Sequence, residues 1–209
     1  MRNTIKLGLT ALMAAMLLAS ALSTASARNL SISNQNFRVS WSRLEFNGGI
    51  LSVRCQVTLE GSFHSTTIPK VRELLIGSIT RITIKEESCE GAGRASVARP
   101  PPWHVTYEGF TGRLPNIESI RLLLQRFQFN IIAFGATCRY GTATDNVTGR
   151  AALNAAGEVT NLQPLAGRNI ANLLNGPEIC PPSGELNAAA TDGNVTLLGT
   201  TTRIRITLI

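Results

Sequence analysis

The stretch PPPWHVTYEGFTGRLPNIESIRLLLQRFQFNII, Pro100 to Ile132, holds one of the two tryptophans, one of the two histidines and a proline cluster. Trp103, Val105 and Tyr107 share one face of an extended segment, and further on Phe127, Phe129 and Ile131 alternate with Arg126, Gln128 and Asn130. Successive side chains of an extended backbone point to opposite faces, so this period of two marks half-buried strands. The prolines cannot donate to a ladder and read as a lead-in to an edge or first strand position. Turn signals at Gly109, Gly112 and Leu114-Pro115 lead into Ile120, Leu122 and Leu124, which together with Phe127 to Ile131 predict a central hairpin.

The same pattern extends outward. Leu51, Val53, Cys55, Val57 and Leu59 alternate strictly with Ser52, Arg54, Gln56, Thr58 and Glu60, which makes this the clearest strand and turns Cys55 inward, where a disulfide between layers would sit. Leu30 and Ile32, then Phe37, Val39 and Trp41, predict two strands before a Gly48-Gly49 turn, with Trp41 in phase with the core. From Lys70 to Ile84 the first half is ambiguous between a helical turn and extended chain, and the β-branched second half reads as strand. Glu86 to Arg94, EESCEGAGR, reads as a loop pinned by Cys89.

Downstream, Ala143 to Thr148 is echoed by Ala190 to Thr196, which predicts two similar hairpin turns. Pro164 to Asn175 fits a short helix or an irregular loop, and Ile204, Ile206 and Leu208 form a closing strand. The sum is an all-β fold, an antiparallel β-sandwich, either immunoglobulin-like or a partly closed barrel, with at most one short helix.

Arg2 and Lys6 precede an apolar run from Leu7 to Leu22 that ends in small residues at Ala25-Ser26-Ala27. This predicts a secretory signal peptide over residues 1–27 and a single exported domain over 28–209, secreted or held at the cell surface. The run falls short of the roughly 20 apolar residues of a spanning helix, and no stable membrane span is expected after cleavage. Of 20 basic and 13 acidic residues, the leader takes two basic ones, leaving a net charge of +5. Those charges are scattered, which argues against nucleic acid and favours loose contact with anionic cell-surface or extracellular polymers.

Four cysteines, at 55, 89, 138 and 180, form no C-x-x-C pair, so neither a zinc ribbon nor a thioredoxin-like motif is present. An even count in an exported chain predicts two disulfides. Three connectivities are possible, of which Cys55 with Cys89 and Cys138 with Cys180 follows from the tendency of sequence neighbours to be sheet neighbours.

The strings CQVTLEGSFH (Cys55 to His64), LIGSITR (Leu75 to Arg81) and PWHVTYEGFTGRLP (Pro102 to Pro115) resemble blocks of a group of exported, uncharacterised bacterial β-rich proteins. The resemblance covers most of the chain after the leader. It implies bacterial export and carries over no activity, ligand or catalytic residue.

Candidate chemistry is sparse. With only His64 and His104 as histidines, a catalytic or metal-binding site would have to gather them with Glu60 and Glu108, whereas both histidines lie on solvent-facing parities. No G-x-S-x-G occurs, and the sole related match is the T-x-x-K of Thr67 to Lys70. At 5% of the chain, aromatics are too few for a sugar-lined cleft or for the girdles of an outer-membrane barrel. Asn29, Asn146 and Asn194 match N-x-[ST], which implies glycosylation only in a eukaryotic host. No cofactor is expected. The expectation is therefore a non-catalytic exported protein, binding or structural, with a secreted hydrolase or metal-dependent enzyme built on His64, His104 and a glutamate as the alternative.

Overall fold

The computed structural model describes residues 29–141, 147–164, 177–209 and the backbone of 170–172, so the expected leader and the turn around Asp145 and Asn146 lie outside the described residues. The described chain is all β, with no helix. The strands are β1 (Asn29–Ile32), β2 (Asn36–Gly48), β3 (Leu51–Phe63), β4 (Thr67–Pro69), β5 (Leu75–Gly91), β6 (Gly93–Val97), β7 (Trp103–Arg113) and β8 (Asn116–Gln125). They continue as β9 (Gln128–Ala133), β10 (Ala136–Gly141), β11 (Val147–Leu153), β12 (Val159–Pro164), β13 (Ile170–Asn172), β14 (Ser183–Asn187), β15 (Asn194–Leu197) and β16 (Ile206–Leu208).

The architecture is sandwich-like and is organised around β2, β3 and β5. Strict alternation along β3 buries Leu51, Val53, Cys55, Val57 and Leu59. Its two neighbours match it in register, with Val39 opposite Leu59 and Leu59 opposite Ile82. On the far side of β5 the order continues β7, β8, β11, β12. The free edge of β2 takes two partners end to end: β15 along Phe37 to Ser40 and β14 along Glu45 to Asn47. A register shift between Trp41 and Leu44 separates these two stretches and bends the strand. From β14 a second layer runs through β13, β10 and β9 to β6.

The sheet curls far enough for β12 to approach β15, where the Leu162 amide donates to Gly193 O at 2.7 Å, yet the two form no ladder and the barrel stays open. A small sheet, in the order β16-β1-β4, buries Leu30, Ile32, Ile68 and Ile206.

Several sequence expectations are corrected. The predicted hairpin of Ile120 to Leu124 with Phe127 to Ile131 does not form. β8 instead pairs with β7 across the Leu114-Pro115 turn, and β9 pairs with β10 and β6. Arg126, in the left-handed region at φ 64°, turns the chain from one layer into the other. The expected loop from Glu86 to Arg94 is extended chain in β5 and β6. Gly91, at φ 102°, allows the passage because a Cβ there would lie 2.2 Å from Ser52 O.

Within Pro164 to Asn175, where a short helix or irregular loop was expected, residues 170–172 are strand and 165–169 and 173–175 lie outside the described residues. The turn before Asn194 joins β14 and β15, which do not pair with each other, so it is not a hairpin turn.

Both disulfides are present, Cys55 with Cys89 and Cys138 with Cys180. The first joins the adjacent strands β3 and β5 and not two layers, because the Glu86 to Gly91 stretch runs beside β3. The second ties β10 to the segment leading into β14. Beside it Phe46, Phe129 and Tyr140 pack together, with Phe46 and Tyr140 centroids 4.4 Å apart. The Tyr140 hydroxyl donates to Pro181 O, and burial pushes its pKa up to about 12.

Candidate functional site

The four polar residues singled out from the sequence do not gather into a metal-binding group. His64 is exposed just beyond β3, while His104 is half-buried in β7 opposite Ser78 and Gln125. Ser78 in turn faces Ser62 of β3, whereas His64 lies two residues further along that strand's direction, its amide donating to Ile76 O at 2.9 Å.

Each carboxylate instead faces arginine. Glu60 accepts from Arg38 Nε at 2.9 Å and Nη2 at 2.7 Å, with Arg81 at 3.8 Å, and Glu108 lies 3.9 Å from Arg121 on the neighbouring strand. Among the described residues no group of three His, Cys, Asp or Glu side chains is placed to hold a metal ion, which weighs against the metal-dependent alternative.

The interior of the curled sheet is where the structure departs from ordinary packing. It bounds a partly open apolar cavity of about 180 Å³, lined among the described residues from β2, β3, β5, β7, β8, β11, β12 and β15 and by residues of β6, β9, β14 and β16. Close-packed cores leave few voids larger than a water molecule. Burial along the strands shows the same departure. Ile82 and Ile84 of β5 and Leu122 and Leu124 of β8 sit in register with the buried Leu59, Val57, Tyr107 and Val105, yet each is only half-buried and lines the cavity. All four pack against the core with part of their surface and leave the rest accessible. At the β11 wall the lining residues are Val147, Gly149 and Ala151, two of them too small to fill the space.

No charged side chain lines the cavity, and its polar groups are already engaged. Trp41 Nε1 donates to Leu162 O at 2.9 Å and Trp103 Nε1 to Arg99 O at 3.0 Å, so both indoles present carbon to the interior and direct their N–H groups to backbone. The arrangement can hold an apolar molecule by exclusion from water. Among the described lining residues there is no nucleophile, base or oxyanion donor.

The sequence reading missed this cavity because its lining residues have the alternation of any buried strand face. One signal was present: a chain with 5% aromatics places Gly149 and Ala151 at inward positions of a wide sheet, where bulky rings would be needed to fill the interior. Asp192 was also underread as a turn residue. Its carboxylate accepts from the Ser42 and Arg43 amides and the Ser42 hydroxyl, fastening the β14–β15 connection onto the irregular part of β2 beside Trp41.

Several exposed arginines are ion-paired: Arg43 with Glu90, Arg54 with Glu45 at 3.1 Å, and Arg205 with Glu158 at 3.8 Å. No helix of the described residues is long and apolar enough to cross a membrane. Comparison with protein-family models, with curated proteins and with solved structures found no match to this chain.

Proposed function

We propose that this is an exported, non-catalytic binding protein that carries a ligand inside its curled sheet. The observation behind this reading is the apolar cavity, two of whose walls, β3 and β5, are joined by the Cys55–Cys89 disulfide. A void of this size in a marginally stable fold forfeits dispersion contacts that larger side chains would supply, which is a recurrent feature of sites that must admit a guest. Export rests on the leader-like residues 1–27 and on the paired cysteines, which suit an oxidising compartment.

The test is titration of the purified, oxidised protein with toluene, followed through the emission of Trp41 and Trp103, which line the cavity. A saturable change at about one toluene per chain supports the reading. A linear, unsaturable change equal to that of a protein without a cavity sinks it. Contact with anionic cell-surface polymers, the partner expected from the net charge of the chain after its leader, is a separate proposal. It predicts retention on such polymers that falls as salt rises.

A further inference from the structure

We infer that the cavity selects an uncharged hydrocarbon guest, a single ring or one short alkyl chain, and rejects any guest that would bring a polar group into it. This rests on the reading of the cavity as a ligand site and adds the chemical class of the ligand. Two independent observations carry it.

The first is size. At about 180 Å³ the void is slightly larger than an engineered core cavity of roughly 150 Å³ that admits benzene, so it accommodates one ring or a few methylenes and not a fused polycycle.

The second is the absence of a free partner for polar atoms. The lining side chains are aliphatic or aromatic, and the two indole N–H groups, the only side-chain donors of that wall that could meet a ligand oxygen, are committed to the Leu162 and Arg99 carbonyls. The backbone of β3 is held in ladders with β2 and β5, and that of β8 in ladders with β7 and β11. A carboxylate or hydroxyl drawn inside would lose its water and gain nothing, whereas a methyl in the same place loses no hydrogen bond. The guest can be a free small molecule or the tail of an amphiphile whose head stays outside; the shared chemistry is the hydrocarbon.

Trp41 and Trp103 both line the cavity and are the only tryptophans of the chain, so their emission reports occupancy. The experiment compares toluene, benzyl alcohol and benzoate at pH 7, nearly equal in size and differing in polarity, by the saturable change each causes in that emission. The expected result is saturable binding of toluene, weaker binding of benzyl alcohol, and a preference for toluene over benzoate of about 100-fold or more.

Benzoate binding within tenfold of toluene overturns the selectivity while leaving a binding protein in place. If none of the three binds, the ligand-site reading itself falls, and the inference with it. Ala151→Phe and Leu122→Trp, two separate fillings of the void, are each expected to weaken toluene at least tenfold with the thermal transition retained. If both variants fold and toluene affinity is unchanged in both, the guest is elsewhere and the inference is wrong. Octyl glucoside distinguishes the sources: competition with toluene identifies an amphiphile tail, and its absence identifies a free small guest.

Discussion

The Asp192 carboxylate binds Ser42 twice, accepting from its backbone amide at 2.9 Å and from its hydroxyl at 3.0 Å across 150 residues of chain. The same carboxylate takes the Arg43 and Gly193 amides. Burial by itself would raise the pKa of Asp192, but the Ser42, Arg43 and Gly193 amides and the Ser42 hydroxyl outweigh it and hold the group below its ordinary value.

A carboxyl depressed in the folded state contributes stability above its unfolded pKa, and that contribution disappears as pH falls through the folded value. Urea unfolding of the wild type should therefore weaken below about pH 4, the unfolded aspartate range. Asp192→Asn should cost about 1–3 kcal/mol at pH 7 and flatten part of that acid limb. An unchanged midpoint in the variant would show that the amides find other partners at no cost.

Gly184 of β14 lies where an added Cβ would meet Phe46 Cζ at 2.2 Å, and Phe46 is packed against Phe129 and Tyr140. Gly184→Ala should destabilise by about 1–3 kcal/mol through overpacking. The penalty should shrink in a Phe46→Leu background, where the ring edge is gone. A double-mutant cycle measures this coupling, and additive effects would contradict the contact.

Reducing or replacing the Cys138–Cys180 bridge releases a loop of 42 residues that includes the lead into β14. The paired Cys138→Ala, Cys180→Ala variant should lose about 2–4 kcal/mol, read as a fall in the chemical denaturation midpoint. The loss should exceed that of an exposed Ser→Ala control.

Phe134 occupies the tip of the β9–β10 hairpin with φ 51°, followed by Gly135 at φ 77°, and its ring is 66% exposed. Two-residue turns with both residues left-handed favour Asn-Gly. Phe134→Asn should therefore raise stability by about 0.5–1 kcal/mol, since the ring contributes little burial and the backbone strain is relieved. A lower melting temperature in this variant would mean that the exposed ring is held by contacts it does not show.

Much of the fold was legible because alternation is a local property. Leu51 to Leu59 could be assigned to a half-buried strand from side-chain order alone, and the parities of His64, Trp41 and Trp103 agree with their observed exposure, while His104, expected to face solvent, is half-buried. Pairing was less legible: the run Ile120 to Leu124 and the run Phe127 to Ile131 both read as strands, and nothing in either names its neighbour. The left-handed turn at Arg126 that sends them into different layers has no signature residue, since it is neither glycine nor asparagine. For the polar candidates, Glu60 carried no hint that Arg38 and not a histidine would stand opposite, because that pairing depends on the register of β2 against β3.

Strand content, inward faces, the even set of cysteines and the scarcity of catalytic side chains are written in residue order and type, because they depend on periods of two and on which functional groups exist at all. The cavity, the strand partners, the Asp192 clasp and the two-layer path from β14 are not. They depend on how far a sheet curls and on which atoms lie across from a given face: Ile82, Ile84, Leu122 and Leu124 are ordinary core residues in the sequence and become the wall of the cavity because the curl leaves part of their surface uncovered.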